Sequence, residues 1–109
     1  MEVEIRSWDV GIIPTVVRPG DRVTIRISVY PGSGDTPVRC FARIHWIDGT
    51  TWRTDEFYVY PKSGGSVTKD LYVPTNITPG TYTVTVELYK YSATPTYSEV
   101  PGEHEVVVV

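Results

Sequence analysis

The stretch RVTIRISVY, residues 22–30, alternates apolar and polar side chains without a break. Val23, Ile25, Ile27 and Val29 fall on one side, and Thr24, Arg26, Ser28 and Tyr30 on the other. A period of two is that of an extended strand, whose successive side chains point to opposite faces. A helix would scatter these four branched residues around its circumference. The segment is therefore constrained to a β-strand with one buried and one wet face, as in an antiparallel sheet.

The same period recurs along the chain. In VRCFARIHWI (38–47), Val38, Cys40, Ala42, Ile44 and Trp46 face inward, and Arg39, Arg43 and His45 outward. In TYTVTVELYKY (81–91), Tyr82, Val84, Val86 and Leu88 form the core set and Tyr89 and Tyr91 face out. Asp48-Gly49 is a strong hairpin signal leading into TWRTDEFYVY (51–60), where Phe57 and Val59 look inward and Trp52, Tyr58 and Tyr60 outward. Weaker patterns mark a short first strand at Val3 and Ile5 and an edge piece at Val16-Val17. A further strand carries Val67, Leu71 and Val73, with Lys69 in its inward set, and HEVVVV (104–109) is the last. Nine Gly and nine Pro separate these segments at intervals of about 8–15 residues, the spacing of short strands joined by turns. No window carries helical periodicity. The expectation is an all-β chain forming a single domain over residues 1–109. Its architecture is an immunoglobulin-like sandwich of two antiparallel sheets with seven to eight strands, with a closed small barrel as the alternative.

RPGDRVTIRISV (18–29), a Pro-Gly-Asp turn running into alternating Val/Ile, resembles the opening of bacterial and archaeal immunoglobulin-like domains of the CARDB, or cell adhesion related, type. ITPGTYTVTVEL (77–88) is similar to the segment entering their penultimate strand. The two patches cover about a quarter of the chain, and PGSGDTP (31–37) departs from the family's usual Asn-Gly-type turn. The resemblance implies a cell-surface or secreted spacer or adhesion unit.

Residues that carry chemistry are sparse. Cys40 is the sole cysteine and lies in an inward set, as a small buried thiol does. His45 and His104, if their strands flank 81–91 in one sheet, point the same way but stand about 9–10 Å apart, too far to share a metal. The acidic residues lack the odd-position spacing of a calcium loop, and the many Ser and Thr lack a G-x-S-x-G context. Asn76-Ile77-Thr78 is a sequon whose Asn76 suits a turn. No catalytic residue, metal or cofactor is expected, and the chain reads as non-enzymatic. The net charge of −3, with arginines scattered among acids, argues against a nucleic-acid partner. MEVEIRSW lacks the basic-then-apolar pattern of a signal peptide, and no apolar run reaches about 18 residues, so no membrane insertion is expected.

The outward aromatics remain. Trp52, Tyr58, Tyr60, Tyr89 and Tyr91, with Trp8 and Tyr97 at the rim, either stiffen a wet sheet face by cross-strand pairing or offer stacking surfaces to a sugar ring or a partner's pocket. Val106–Val109 are apolar on both faces, which suggests strand addition at the termini by another copy or a protein partner. The expected function is thus an extracellular or cell-surface structural or adhesion module. The alternatives are a carbohydrate-binding sandwich using those aromatics, or a self-assembling subunit of an extracellular filament or virion.

Overall fold

The computed structural model describes residues 1–91 and 104–109, and every regular element in them is a strand. These are β1 (Ile5–Ile13), β2 (Val16–Val17), β3 (Arg22–Pro31), β4 (Val38–His45), β5 (Thr51–Arg53), β6 (Phe57–Val59), β7 (Gly65–Tyr72), β8 (Gly80–Lys90) and β9 (His104–Val108). The smaller sheet has the order β1-β3-β7. The larger runs β2-β9-β8-β4, with β5 and β6 sharing the far edge of β4. Among the described residues there are nine strands rather than seven or eight, in two sheets rather than one closed barrel.

The uninterrupted alternations build the core. Val23, Ile25, Ile27 and Val29 of β3 meet Cys40, Ala42 and Ile44 of β4 and Val84, Val86 and Leu88 of β8, all buried. Each such Val, Ile or Leu contributes about 1.5–3 kcal/mol on leaving water.

Three expectations change, each for a local reason. The first strand continues through Gly11 to Ile13, because a bulge between Ile5 and Ser7 moves the inward set from Ile5 to Trp8, Val10 and Ile12. The larger sheet is mixed, not antiparallel, because β2 crosses to it and pairs parallel with β9. This pairing also answers the apolar C-terminal run. Val107 and Val109 donate their backbone N–H groups to Thr15 and Val17 carbonyls, so the outer edge of β9 is occupied by the chain itself, and no strand need be added there.

The third change is in residues 51–60, which form two short strands rather than one. Arg53 pairs with Arg43 and Trp52 with Ile44, whereas Phe57 pairs with Cys40 and Val59 with Val38. Phe41 therefore spans the interval of two residues, Asp55 and Glu56. Buried Thr54 anchors this bulge: its N–H donates to the Ala42 carbonyl, and its hydroxyl accepts from the Ala42 N–H, both at 2.9 Å. A one-residue insertion reverses which side each later side chain faces. Trp52 accordingly lies on the inward side with Ile44, not outward with Tyr58 and Tyr60. It stands at the mouth of the sandwich, in a cleft with Trp46, Lys69, Leu71 and Tyr72, and the Lys69 ammonium is 5.7 Å from its ring centre.

Candidate functional site

The outer face of the larger sheet is set by alternation on β4. With Val38, Cys40, Ala42 and Ile44 in the core, Arg39, Phe41, Arg43 and His45 must face the other way. Register then gathers their neighbours. Antiparallel pairing with β8 places Tyr89 beside Phe41, Glu87 beside Arg43 and Thr85 beside His45, and the Tyr91 N–H donates to the Arg39 carbonyl. On the other side, β6 places Tyr58 beside Arg39, and β5 places Arg53 beside Arg43 and Thr51 beside His45.

The result is an interleaved array of guanidinium groups and rings. The Phe41 and Tyr89 rings stack at 5.2 Å between centres and 14° between planes, and Tyr91 meets Phe41 edge-on at 6.2 Å. Arg39 lies 3.7 Å from the Tyr91 centre, Arg53 3.9 Å from the Phe41 centre and Arg43 5.2 Å from the Tyr89 centre. Each distance is within cation–π range. Tyr58 and Tyr60 extend the aromatic surface, 6.1 Å apart. Tyr58, Tyr60 and Tyr91 keep 48%, 50% and 49% of their surface exposed, so their rings are open to contact. Beside Tyr91, a shallow depression of about 580 Å³ is lined by Arg53, Thr54, Asp55 and Glu56.

Glu87 holds the centre of the face together. One carboxylate oxygen accepts the Tyr89 hydroxyl at 2.5 Å, and the other pairs with His45 Nε2. These two bonds hold the Glu87 carboxyl below its ordinary range, and the bond to Glu87 in turn pushes the Tyr89 phenol up. Because a carboxylate only accepts, His45 carries a proton on Nε2. Its Nδ1 is 3.2 Å from the Thr51 hydroxyl, which donates to it when the imidazole is neutral. Arg39 reaches Glu56 at 3.7 Å. Among the described residues, Arg43 and Arg53 form no ion pair although they stand directly opposite each other.

Of the aromatics singled out from sequence, Tyr58, Tyr60, Tyr89 and Tyr91 lie on this face, and Trp52 does not. Trp8 is half-buried in the smaller sheet, and Tyr97 lies outside the described residues. The pattern alone misses Phe41 and the assembly of Arg39, Arg43 and Arg53. The signal available was the i, i+2, i+4 run Arg39-Phe41-Arg43 on a strand whose other side is wholly apolar. His45 and His104 flank β8 from opposite sides but point to opposite faces, since His104 pairs with inward Val84. They do not point the same way. Cys40 is buried, and desolvation pushes its thiol up to about 11.

No family model matches the chain, and no curated protein matches it. Among solved structures, the fold is similar to that of Pseudomonas fluorescens alkylpurine DNA glycosylase AlkC bound to DNA containing an abasic site analog, with a TM-score of 0.59 at 12% identity. The match covers 93% of this chain and 30% of the glycosylase chain, so this chain spans less than a third of that protein's length. At this identity the likeness speaks for the fold.

Two expectations are corrected here. The cell-surface adhesion or spacer module, with its carbohydrate-binding and filament alternatives, rested on analogy of fold, and a solved structure with a similar fold is a DNA-bound enzyme. The exclusion of nucleic acid falls with it. The net charge of −3 is a sum over the whole chain, and it conceals three arginines that the sheet collects on one face.

Proposed function

We propose that this chain is a non-catalytic, nucleic-acid-contacting module with an immunoglobulin-like sandwich architecture. The observation that carries the reading is the placement of Arg39, Arg43 and Arg53 over the rings of Tyr91, Tyr89 and Phe41 on one sheet face. A guanidinium held over a ring can still turn its edge donors to a phosphate and grip it with two parallel hydrogen bonds. Among the described residues only Arg39 of the three is already in an ion pair, with Glu56. Arg43 and Arg53 also face each other as like charges, an arrangement that costs stability alone and that an anion between them relieves. The DNA-bound state of the glycosylase with a similar fold agrees with this reading.

Strand order supports the finer architecture. β1-β3-β7 and β4-β8-β9 follow the two-sheet division of immunoglobulin domains, with β2 crossing to pair with the last strand. The non-catalytic reading rests on the buried, poorly ionised Cys40 thiol and on His45 being engaged on both nitrogens.

Fluorescence anisotropy with labelled DNA tests the proposal. The double variant Arg43→Glu with Arg53→Glu is expected to bind at least about tenfold more weakly, with a salt dependence shallower by about 1–2 in log–log slope. Unchanged binding by the variant removes this face as the contact.

A further inference from the structure

Resting on that reading, we infer that the face takes single-stranded nucleic acid and stacks its unpaired bases on Tyr91, Tyr58 and the ring-borne guanidinium groups. The shape of the surface is the first argument. The major groove of a duplex admits a helix or a projecting two-stranded ribbon. Here β8, β4, β5 and β6 lie side by side in one sheet, and the described residues contain no helix. A broad sheet face without a projecting helix or ribbon does not enter the major groove of an unbent duplex, and its contacts there are chiefly with phosphates.

Charge is the second argument. Tight duplex binding through the backbone alone draws on about 6–10 phosphate contacts. This face offers three guanidinium groups, with Glu56 and Glu87 among them and Arg39 already paired to Glu56. Phosphate contact by itself is too sparse, so another contribution has to supply the affinity.

The rings supply it. Tyr58, Tyr60 and Tyr91 are half exposed, and bases stack on aromatic faces and guanidinium planes alike. In a duplex the base faces are already covered by their neighbours; in a single strand they are free. Along β4, Arg39, Phe41 and Arg43 recur every two residues, about 6.7 Å apart. That is close to the span of one nucleotide in a stretched strand, so successive nucleotides can meet successive rows.

The experiment compares a labelled oligothymidine of about 12 nucleotides with the same strand paired to its complement, at about 50 and about 200 mM salt. The single strand is expected to bind at least about tenfold more tightly. Tyr91→Ala and Tyr58→Ala should each weaken it by roughly 5- to 100-fold, while Tyr91→Phe, which keeps the ring, binds as the parent. Duplex binding as tight as single-strand binding overturns the inference and leaves nucleic-acid contact standing. Alanine variants that are folded by circular dichroism and bind normally also overturn it. Failure of both probes to bind overturns this inference and the reading beneath it together.

Discussion

Arg53 and Phe41, on neighbouring strands, meet with the guanidinium carbon 3.9 Å from the ring centre, while the far side of the arrangement is the Phe41–Tyr89 stack at 5.2 Å. The contact depends on the bulge at residues 54–57. Without the extra residue, Arg53 would fall on the core side, where a charge without a partner is not tolerated. The bulge thus lets one edge of β4 carry a core-facing Phe57 and an outward Arg53 four residues apart, a spacing that a regular strand would place on a single face.

Thr54→Val tests that dependence. The hydroxyl that accepts the Ala42 N–H is lost inside the protein, leaving a buried donor unpaired. The expected cost is about 1–3 kcal/mol, read as a lower denaturation midpoint in urea. Thr54→Ser, which keeps the hydroxyl, should recover most of it. If Thr54→Val is as stable as the parent, the bulge is not held by this bond.

Phe41→Ala removes the centre of the ring stack and the platform under Arg53. A loss of about 1–2 kcal/mol is expected, a fall in Tm of roughly 5–10 °C. Arg53→Ala in the same background should add less than it does alone, because the pair shares one interaction. Full additivity in the thermal melts would show that the contact carries no energy.

Glu87 sets an acid limit on the same face. Its folded-state carboxyl lies below its ordinary value of 4.5, held down first by Tyr89 and then by His45. A depressed carboxylate contributes stability that is complete above the unfolded value and is lost as pH falls through the folded one. Urea midpoints should therefore decline as pH drops below about 4.5, and Glu87→Gln should flatten that part of the profile. A variant profile parallel to the parent's would assign the acid sensitivity elsewhere.

Particular residues mark where sequence was enough. In β3, β4 and β8, alternation survives from end to end, so Ile25, Ile44 and Val86 are assignable to the core from period alone. Tyr58, Tyr60, Tyr89 and Tyr91 are assignable to the outer face for the same reason. Trp52 is not, because the residue inserted near Asp55 and Glu56 reverses its side and leaves no compositional mark. Val16-Val17 reads as an edge piece, but its parallel partner, β9, is set by a contact between the two ends of the chain.

Local side-chain period, by itself, determined that this chain is all-β and which side of each unbroken strand is buried, since that depends only on neighbours in sequence. Tertiary structure decided which outward side chains become neighbours. Arg39, Arg43 and Arg53 look dispersed along the chain, and only the pairing of β4 with β5, β6 and β8 brings them over Tyr91, Tyr89 and Phe41. Register between distant segments, set by core packing and a bulge, is a property of the assembled sheet and of no segment alone.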